Sequence, residues 1–238
     1  MVTLTYQDRF RTAKGVFDEF TNRTLFTLQS KGVFDELESP LFVGKESNVF
    51  IAKKGEKRII VKIYRMQNAD FKTMYDYIRK DPRYVFLKNH RRQIIIAWAQ
   101  REYQNLKKAE KAKISSPKPI NWKNHIIVEE MIGEPAPTLK NQHPEDPKKF
   151  FNEVIKQVKK MYEAGLIHGD LSSFNILNLN EKPCIIDFSQ STLTKTPNSQ
   201  ELLIRDLKNV LNFFNKLGVK AELEQTFFKV TGEKQKNG

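Results

Sequence analysis

The sequence predicts an α+β fold in two lobes, a small antiparallel sheet with a flanking helix followed by a mainly helical half. Three observations predict it. The hydrophobic period falls to two between residues 41 and 64, and it becomes helical from about Arg91. Gly133-Glu134-Pro135-Ala136-Pro137 then forms a rigid linker where one lobe would end and the next begin. On this reading residues 1–40 are an accessory helical segment, 41–132 the N-terminal lobe and 133–238 the C-terminal lobe.

The elements follow in order. Thr21-Asn22 would cap a helix carrying Leu25, Phe26 and Leu28, closed by Gly32, and a short apolar group (Val33, Phe34, Leu37) precedes Pro40. Leu41–Gly44, Asn48–Ala52 and Arg58–Tyr64 read as strands, the last two joined by a turn at Lys53-Lys54-Gly55-Glu56. In the third strand Ile59, Val61 and Ile63 share one face, and Ile60, Lys62 and Tyr64 share the other. Residues 65–90 lose periodicity and read as a long mobile connection. From Arg91 to Ala112, Ile95, Trp98, Ala99, Leu106 and Ala109 fall on one helical face, and Glu102 falls with them. His125–Met131 is a further strand, and Phe150–Tyr162 is an amphipathic helix ending at Gly165. Short strands at Ile176-Leu177 and Cys184–Ile186 lead to a final helix from about Gln200 to Leu217, stopped by Gly218.

Composition narrows the class. Of the 238 residues 39% are hydrophobic and 29% charged, with 10 Gly and 10 Pro, which supports a packed core and excludes a low-complexity chain. The longest apolar run, Ile94–Ala99, is far short of the ~20 residues a membrane helix needs. The first residues lack the apolar stretch of a secretory signal. The single cysteine, Cys184, excludes an internal disulfide, and no Cys/His spacing suits zinc, so a cytoplasmic protein is expected. A net charge of +13 favours polyanionic partners such as RNA, ribosomal particles or nucleotide phosphates.

The chemistry concentrates in His168-Gly169-Asp170-Leu171-Ser172-Ser173-Phe174-Asn175 and in Ile185-Ile186-Asp187-Phe188-Ser189. An Asp and an Asn five apart on a loop, with a second Asp leaving a buried strand, suit phosphoryl transfer. Asp170 would orient or deprotonate the nucleophile, while Asn175 and Asp187 would hold Mg²⁺ (or Mn²⁺) against nucleotide phosphates. Upstream, Gly44-Lys45-Glu46-Ser47-Asn48 sits between two strands where a loop could cover phosphates, with Lys45 and Ser47 lining it. Lys62 would contact the α/β-phosphates, positioned by Glu102. Singly each residue has an ordinary structural reading: a snorkelling lysine, a boundary glutamate, a structural His168, a small core Cys184. Together, in this order and spacing, they do not.

These segments, with Ala97-Trp98-Ala99-Gln100-Arg101-Glu102 and Arg205-Asp206 followed by Asn209, resemble the RIO family of atypical protein kinases over about Val16–Val219. The entry segment resembles the type-one subgroup. The resemblance implies a bilobal protein-kinase-like fold lacking the activation loop and substrate-binding helices. It further implies ATP as cofactor, with Val49 in the nucleotide site, the backbones of Glu130 and Ile132 at the base, and Asp187 as a phosphoryl acceptor in an ATPase-like cycle. By the same resemblance the chain would act in small ribosomal subunit maturation, which suits the positive charge.

Departures from ordinary protein kinases agree with this: one glycine in the phosphate loop, Gly169 where an arginine is usual, and Ser189 after Asp187-Phe188. Within the family, Phe42-Val43 and Glu129 stand apart, the latter where an apolar residue usually backs the base. Three alternatives remain. Aminoglycoside/choline phosphotransferases share His-Gly-Asp and Ile-Asp-Phe but need a larger C-terminal lobe. The small kinase of the KEOPS tRNA-modification complex differs after His-Gly-Asp-Leu. A catalytically inactive scaffold binding pre-ribosomal RNA is the third.

Overall fold

The computed structural model describes residues 17–66 and 70–233. Helix α1 (Glu19–Ser30) is capped by Asp18, whose carboxylate accepts the Thr21 N–H at 2.7 Å. The cap therefore lies three residues before the Thr21-Asn22 pair favoured by sequence. Thr21 is instead buried, its hydroxyl 2.9 Å from His125 Nε2.

A five-stranded antiparallel sheet of order β1-β2-β3-β5-β4 follows, built from β1 (Glu36–Val43), β2 (Ser47–Lys54), β3 (Lys57–Tyr64), β4 (Pro119–Lys123) and β5 (Ile126–Glu130). The period of two in β3 is expressed in space. Ile59, Val61 and Ile63 pack with Leu25 and Leu28 of α1, Ala52, Ile126 and Val128 in one cluster, while Tyr64 joins the larger core on the opposite side. Full burial of Leu25 and Leu28 contributes about 1.5–3 kcal/mol each. Residues 17–40 are thus tied to the sheet in two ways: α1 covers its outer face, and β1 begins within them at Glu36. Sequence reading began the first strand at Leu41, beyond Pro40. The structure carries the strand across it through register shifts on either side of Pro40.

Residues 65–90 are the largest correction. They hold α2 (Phe71–Ile78), capped by Asp70, and a 3₁₀ turn at Pro82–Tyr84. Phe71, Met74, Tyr75 and Ile78 do repeat at helical spacing, but over two turns among many charges. Met74 and Ile78 are completely buried against α3 (Arg91–Lys111). Strand β4 was missed behind Pro117 and Pro119, and so was α6 (Leu223–Thr231), which packs on α4 (Pro147–Glu163) and α5 (Ser199–Lys216).

Two short antiparallel strand pairs follow. Strand β6 (Leu166–Ile167) pairs with β9 (Thr192–Leu193), and β7 (Ile176–Leu179) with β8 (Lys182–Ile185). The β7–β8 turn places Asn180 and Glu181 at φ +50° and +63°, as a tight two-residue hairpin requires. The loop between β6 and β7 and the chain leaving β8 consequently emerge side by side under the sheet.

Candidate active site

Lys62 is delivered to the cleft by the pleat of β3 and cannot turn away without reversing the register of the whole strand. Its Nζ donates at 2.8 Å to Glu102 Oε1 and at 2.8 Å to Asp187 Oδ1. The side chains of Lys62 and Glu102 are 8% and 1% exposed, that of Asp187 40%. One cation thus bridges a buried acid and a half-open one. Glu102 comes from the apolar face of α3, and its other oxygen accepts from the Tyr64 hydroxyl. Burial opposes the lysine's charge, but Asp187 and Glu102 outweigh it and hold Lys62 well above its ordinary value. Burial pushes Glu102 up despite the lysine. Burial also works against the charged form of Asp187, yet Lys62 and the Ser189 N–H hold that carboxyl well below the usual range.

Asp187 sits at φ +61°, a left-handed conformation that a non-glycine residue adopts only when its surroundings enforce it. The enforcement is visible. His168 Nε2 donates to Ile186 O at 3.0 Å, and the Ile186 N–H donates to Asn175 O at 3.0 Å. Beyond Asp187, Asn105 donates to Ser191 O at 2.8 Å and Phe188 O at 3.2 Å, and Arg101 donates to Ser189 O at 2.5 Å. His168 is therefore structural, its imidazole pushed down to about 4 by burial and held neutral. Cys184 is a buried thiol pushed up to about 12, a packing residue.

On the facing loop, Asn175 Nδ2 donates to Asp170 O at 2.8 Å and Asp170 Oδ2 at 3.4 Å, so its amide oxygen is the atom left to meet a ligand. Burial and the charge of Asp187 both raise Asp170. The loop is anchored from below: Asp206 on α5 accepts the Gly169 N–H at 2.7 Å and the Leu171 N–H at 2.8 Å, and Arg205 donates to Gly169 O. Gly169 has φ +81°, and a Cβ there would stand 2.7 Å from Gln190 O. The missing arginine of the sequence comparison thus has a steric cause.

The Gly44–Asn48 turn closes through the Gly44 N–H bonded to Ser47 O at 2.9 Å, and a Cβ on Gly44 would meet the Phe42 ring at 2.8 Å. Lys45 is exposed, Ser47 lies opposite Tyr64, and Val49 opposite Lys62. Glu130 and Ile132 lie half-buried where β5 passes into the linker. Sequence reading missed Glu46, whose carboxyl is raised by burial and by the charge of Asp187. It also gave no role to Tyr64, Arg101, Asn105 or Asp206. A lysine alternating with tyrosine on β3, and polar residues on the buried face of α3, were the signals available.

The donor set suits Mg²⁺. A carboxylate and an amide oxygen are hard ligands, and this ion takes only one or two carboxylates beside substrate phosphates. Among the described residues no cluster of three His, Cys, Asp or Glu could cage a metal alone. No helix among them is long and apolar enough to cross a membrane.

A profile described as RIO domain matches residues 48–227, three quarters of the chain. The chain belongs to the RIO family. It is 40% identical over 232 residues to the RIO-type serine/threonine-protein kinase Rio1 of Methanocaldococcus jannaschii, covering 96% of this chain and 80% of that one. It is 34% identical to Rio1 of Haloferax volcanii over 235 residues, 97% and 81% of the two chains. This RIO chain is thereby placed among the RIO-type serine/threonine-protein kinases. Its fold resembles the Rio2 kinase–ADP/Mg²⁺–phosphoaspartate complex from Chaetomium thermophilum (TM-score 0.69, 24% identity), with 88% of this chain and 66% of that one covered. The bilobal kinase-like α+β architecture expected from sequence is the one found.

Proposed function

We propose that this chain binds ATP with Mg²⁺ in the cleft between residues 41–132 and 133–238 and transfers the γ-phosphoryl group. The observation that carries the reading is Lys62 Nζ at 2.8 Å from both Glu102 and Asp187, facing the Asp170–Asn175 loop. Lys62 neutralises phosphate charge, and Glu102, held by Tyr64, fixes where the lysine points. Asn175 and Asp187 hold Mg²⁺, which when bound offsets the crowding of phosphate oxygens. Asp170, pushed up by burial, is tuned to accept a hydroxyl proton. Gly44, Lys45, Ser47 and Val49 cover the phosphates and sugar, and the Glu130 and Ile132 backbones meet the base.

Two acceptors fit this arrangement. A serine or threonine hydroxyl can lose its proton to Asp170 as its oxygen bonds to the γ-phosphorus and the bond to ADP breaks. Alternatively an Asp187 oxygen attacks, giving ADP and an acyl phosphate that water hydrolyses. Asp187, ionised and 40% exposed, supports the second alongside the first. Autophosphorylation and a cytoplasmic role in small ribosomal subunit maturation, through rRNA contacts of the +13 surface, complete the proposal. The test is MgATP binding by calorimetry beside turnover. Asp170→Ala should keep binding and lose turnover, whereas Lys62→Ala should weaken binding. Equal loss of binding in both would refute this division of roles.

A further inference from the structure

Below the Asp170–Asn175 loop lies a cavity of about 420 Å³ that the phosphoryl-transfer chemistry leaves unused. Its upper wall is the loop itself, Ser172 to Phe174; its other walls come from Lys140 and His143 ahead of α4 and from Phe213 and Lys216 near the end of α5. The cavity is rigidly formed. The Lys140 N–H donates to Ser173 O at 3.0 Å, Asn209 Nδ2 donates to Leu171 O at 3.2 Å, and His143 packs edge-on against Phe213 at 5.4 Å. Phe174 nonetheless stands 62% exposed at its rim, on a loop fixed at both ends. No carboxylate lines it, and among the described residues neither Lys140 nor Lys216 pairs with one.

We propose that this cavity is an acceptor subsite that selects serine- or threonine-bearing segments flanked by acidic side chains. The inference rests on the reading of Asp170 as the residue that meets the acceptor hydroxyl. Phe174 is four residues from Asp170, a span of at most ~13 Å, so a chain whose hydroxyl reaches Asp170 places a neighbour about two to four residues away in the cavity. There two unpaired lysines and a histidine face it without a competing acid, and Phe174 and Phe213 cover its aliphatic stem. The reacting step is unchanged: the hydroxyl oxygen bonds to the γ-phosphorus of ATP, the bond to ADP breaks, and the hydroxyl proton passes to Asp170. Location decides for a peptide over a nucleic acid, because the cavity opens onto the catalytic loop of a serine/threonine kinase.

The test uses the full chain, MgATP and three serine peptides that differ only in flanking residues: glutamate, glutamine or lysine two to four positions from the serine. The glutamate peptide should be favoured over the lysine peptide by about tenfold in kcat/KM, mostly in KM, the sum of two surface charge pairs. Lys140→Glu combined with Lys216→Glu should reverse the order. Equal use of the three peptides, or an order unmoved by the reversal, overturns the proposal. So does hydrolysis of ATP with transfer to none of them, which leaves the phosphoryl-transfer reading intact. Displacement of the glutamate peptide by a single-stranded RNA that the double variant no longer binds would reassign the cavity to nucleic acid. Failure of the wild type to bind MgATP would remove the reading beneath.

Discussion

Replacing Asp206 by alanine strikes the catalytic loop without touching the nucleotide. The carboxylate is 1% exposed and accepts two backbone N–H groups, from Gly169 and Leu171, on either side of Asp170. Alanine leaves both donors buried and unpaired, about 1–3 kcal/mol each. Against this stands the cost of burying the acid itself, which pushes Asp206 up to about 7 against the pull of the two N–H donors and Arg205. The net loss expected is therefore ~2–4 kcal/mol, toward the lower half of the summed range. Asp206→Asn keeps one acceptor oxygen and should lose about half as much. Urea unfolding supplies the stability, and steady-state turnover beside MgATP calorimetry supplies the function. Turnover should fall at least tenfold, with MgATP affinity within about twofold, because Lys62, Glu102 and Asp187 are untouched. A variant as stable and as active as the parent would refute the tether. Parallel loss of affinity and turnover would refute its confinement to the acceptor side.

Other consequences are as direct. Lys62→Met removes the cation between Glu102 and Asp187; Glu102 can respond by taking a proton, so the stability loss should sit near the low end of the ~3–5 kcal/mol typical of a broken buried pair. MgATP affinity should fall by two orders of magnitude or so on the same grounds, and unchanged affinity would contradict the site. Glu129, on the cleft face beside Lys62, is pushed up to about 8 by burial and by Glu102. It is uncharged at neutral pH and ionises as pH rises through 8, adding a negative charge beside the phosphates. MgATP affinity should therefore decline from pH 7 to 9 in the parent and stay level in Glu129→Met; matching profiles would dismiss the residue. Arg101, wholly buried, lies over Trp98 at 4.3 Å and Tyr77 at 5.0 Å while donating to Ser189 O. Arg101→Met should lower turnover severalfold by loosening the residues after Asp187, with stability changed by less than about 2 kcal/mol, since two of its guanidinium nitrogens already lack partners. A variant with full turnover would show that Ser189 needs no anchor.

Strands β2, β3 and β5, helix α3 and the residues around Lys62 were legible because strand and helix periods place side chains without further information. Alternation in β3 alone put Lys62 opposite Ile59 and Val61, and helical spacing alone put Glu102 among apolar neighbours. The pairing of Asp170 with Asn175 followed from five-residue spacing on one loop. Illegible were features whose cause is distant in sequence. Asp206 meets Gly169 across 37 residues, and Asn105 meets Phe188 across 83. Helix α2 was hidden because eight residues give only two turns of pattern, and its order comes from packing on α3. Strand β1 was cut short at Pro40 because propensity alone has no means of anticipating a register shift.

The central claim is that Lys62, Asp170, Asn175 and Asp187 form one phosphoryl-transfer site. It is tested most directly by incubating the chain with γ-labelled ATP and Mg²⁺, following released phosphate and label on the protein. Asp170→Ala and Asp187→Asn run alongside, and labelled protein is treated with hydroxylamine. The account predicts magnesium-dependent release of phosphate and hydroxylamine-sensitive label in the wild type. Asp187→Asn should carry no such label, and Asp170→Ala should release no phosphate. Turnover at the wild-type rate in either variant, or no turnover in any of the three proteins, would contradict it.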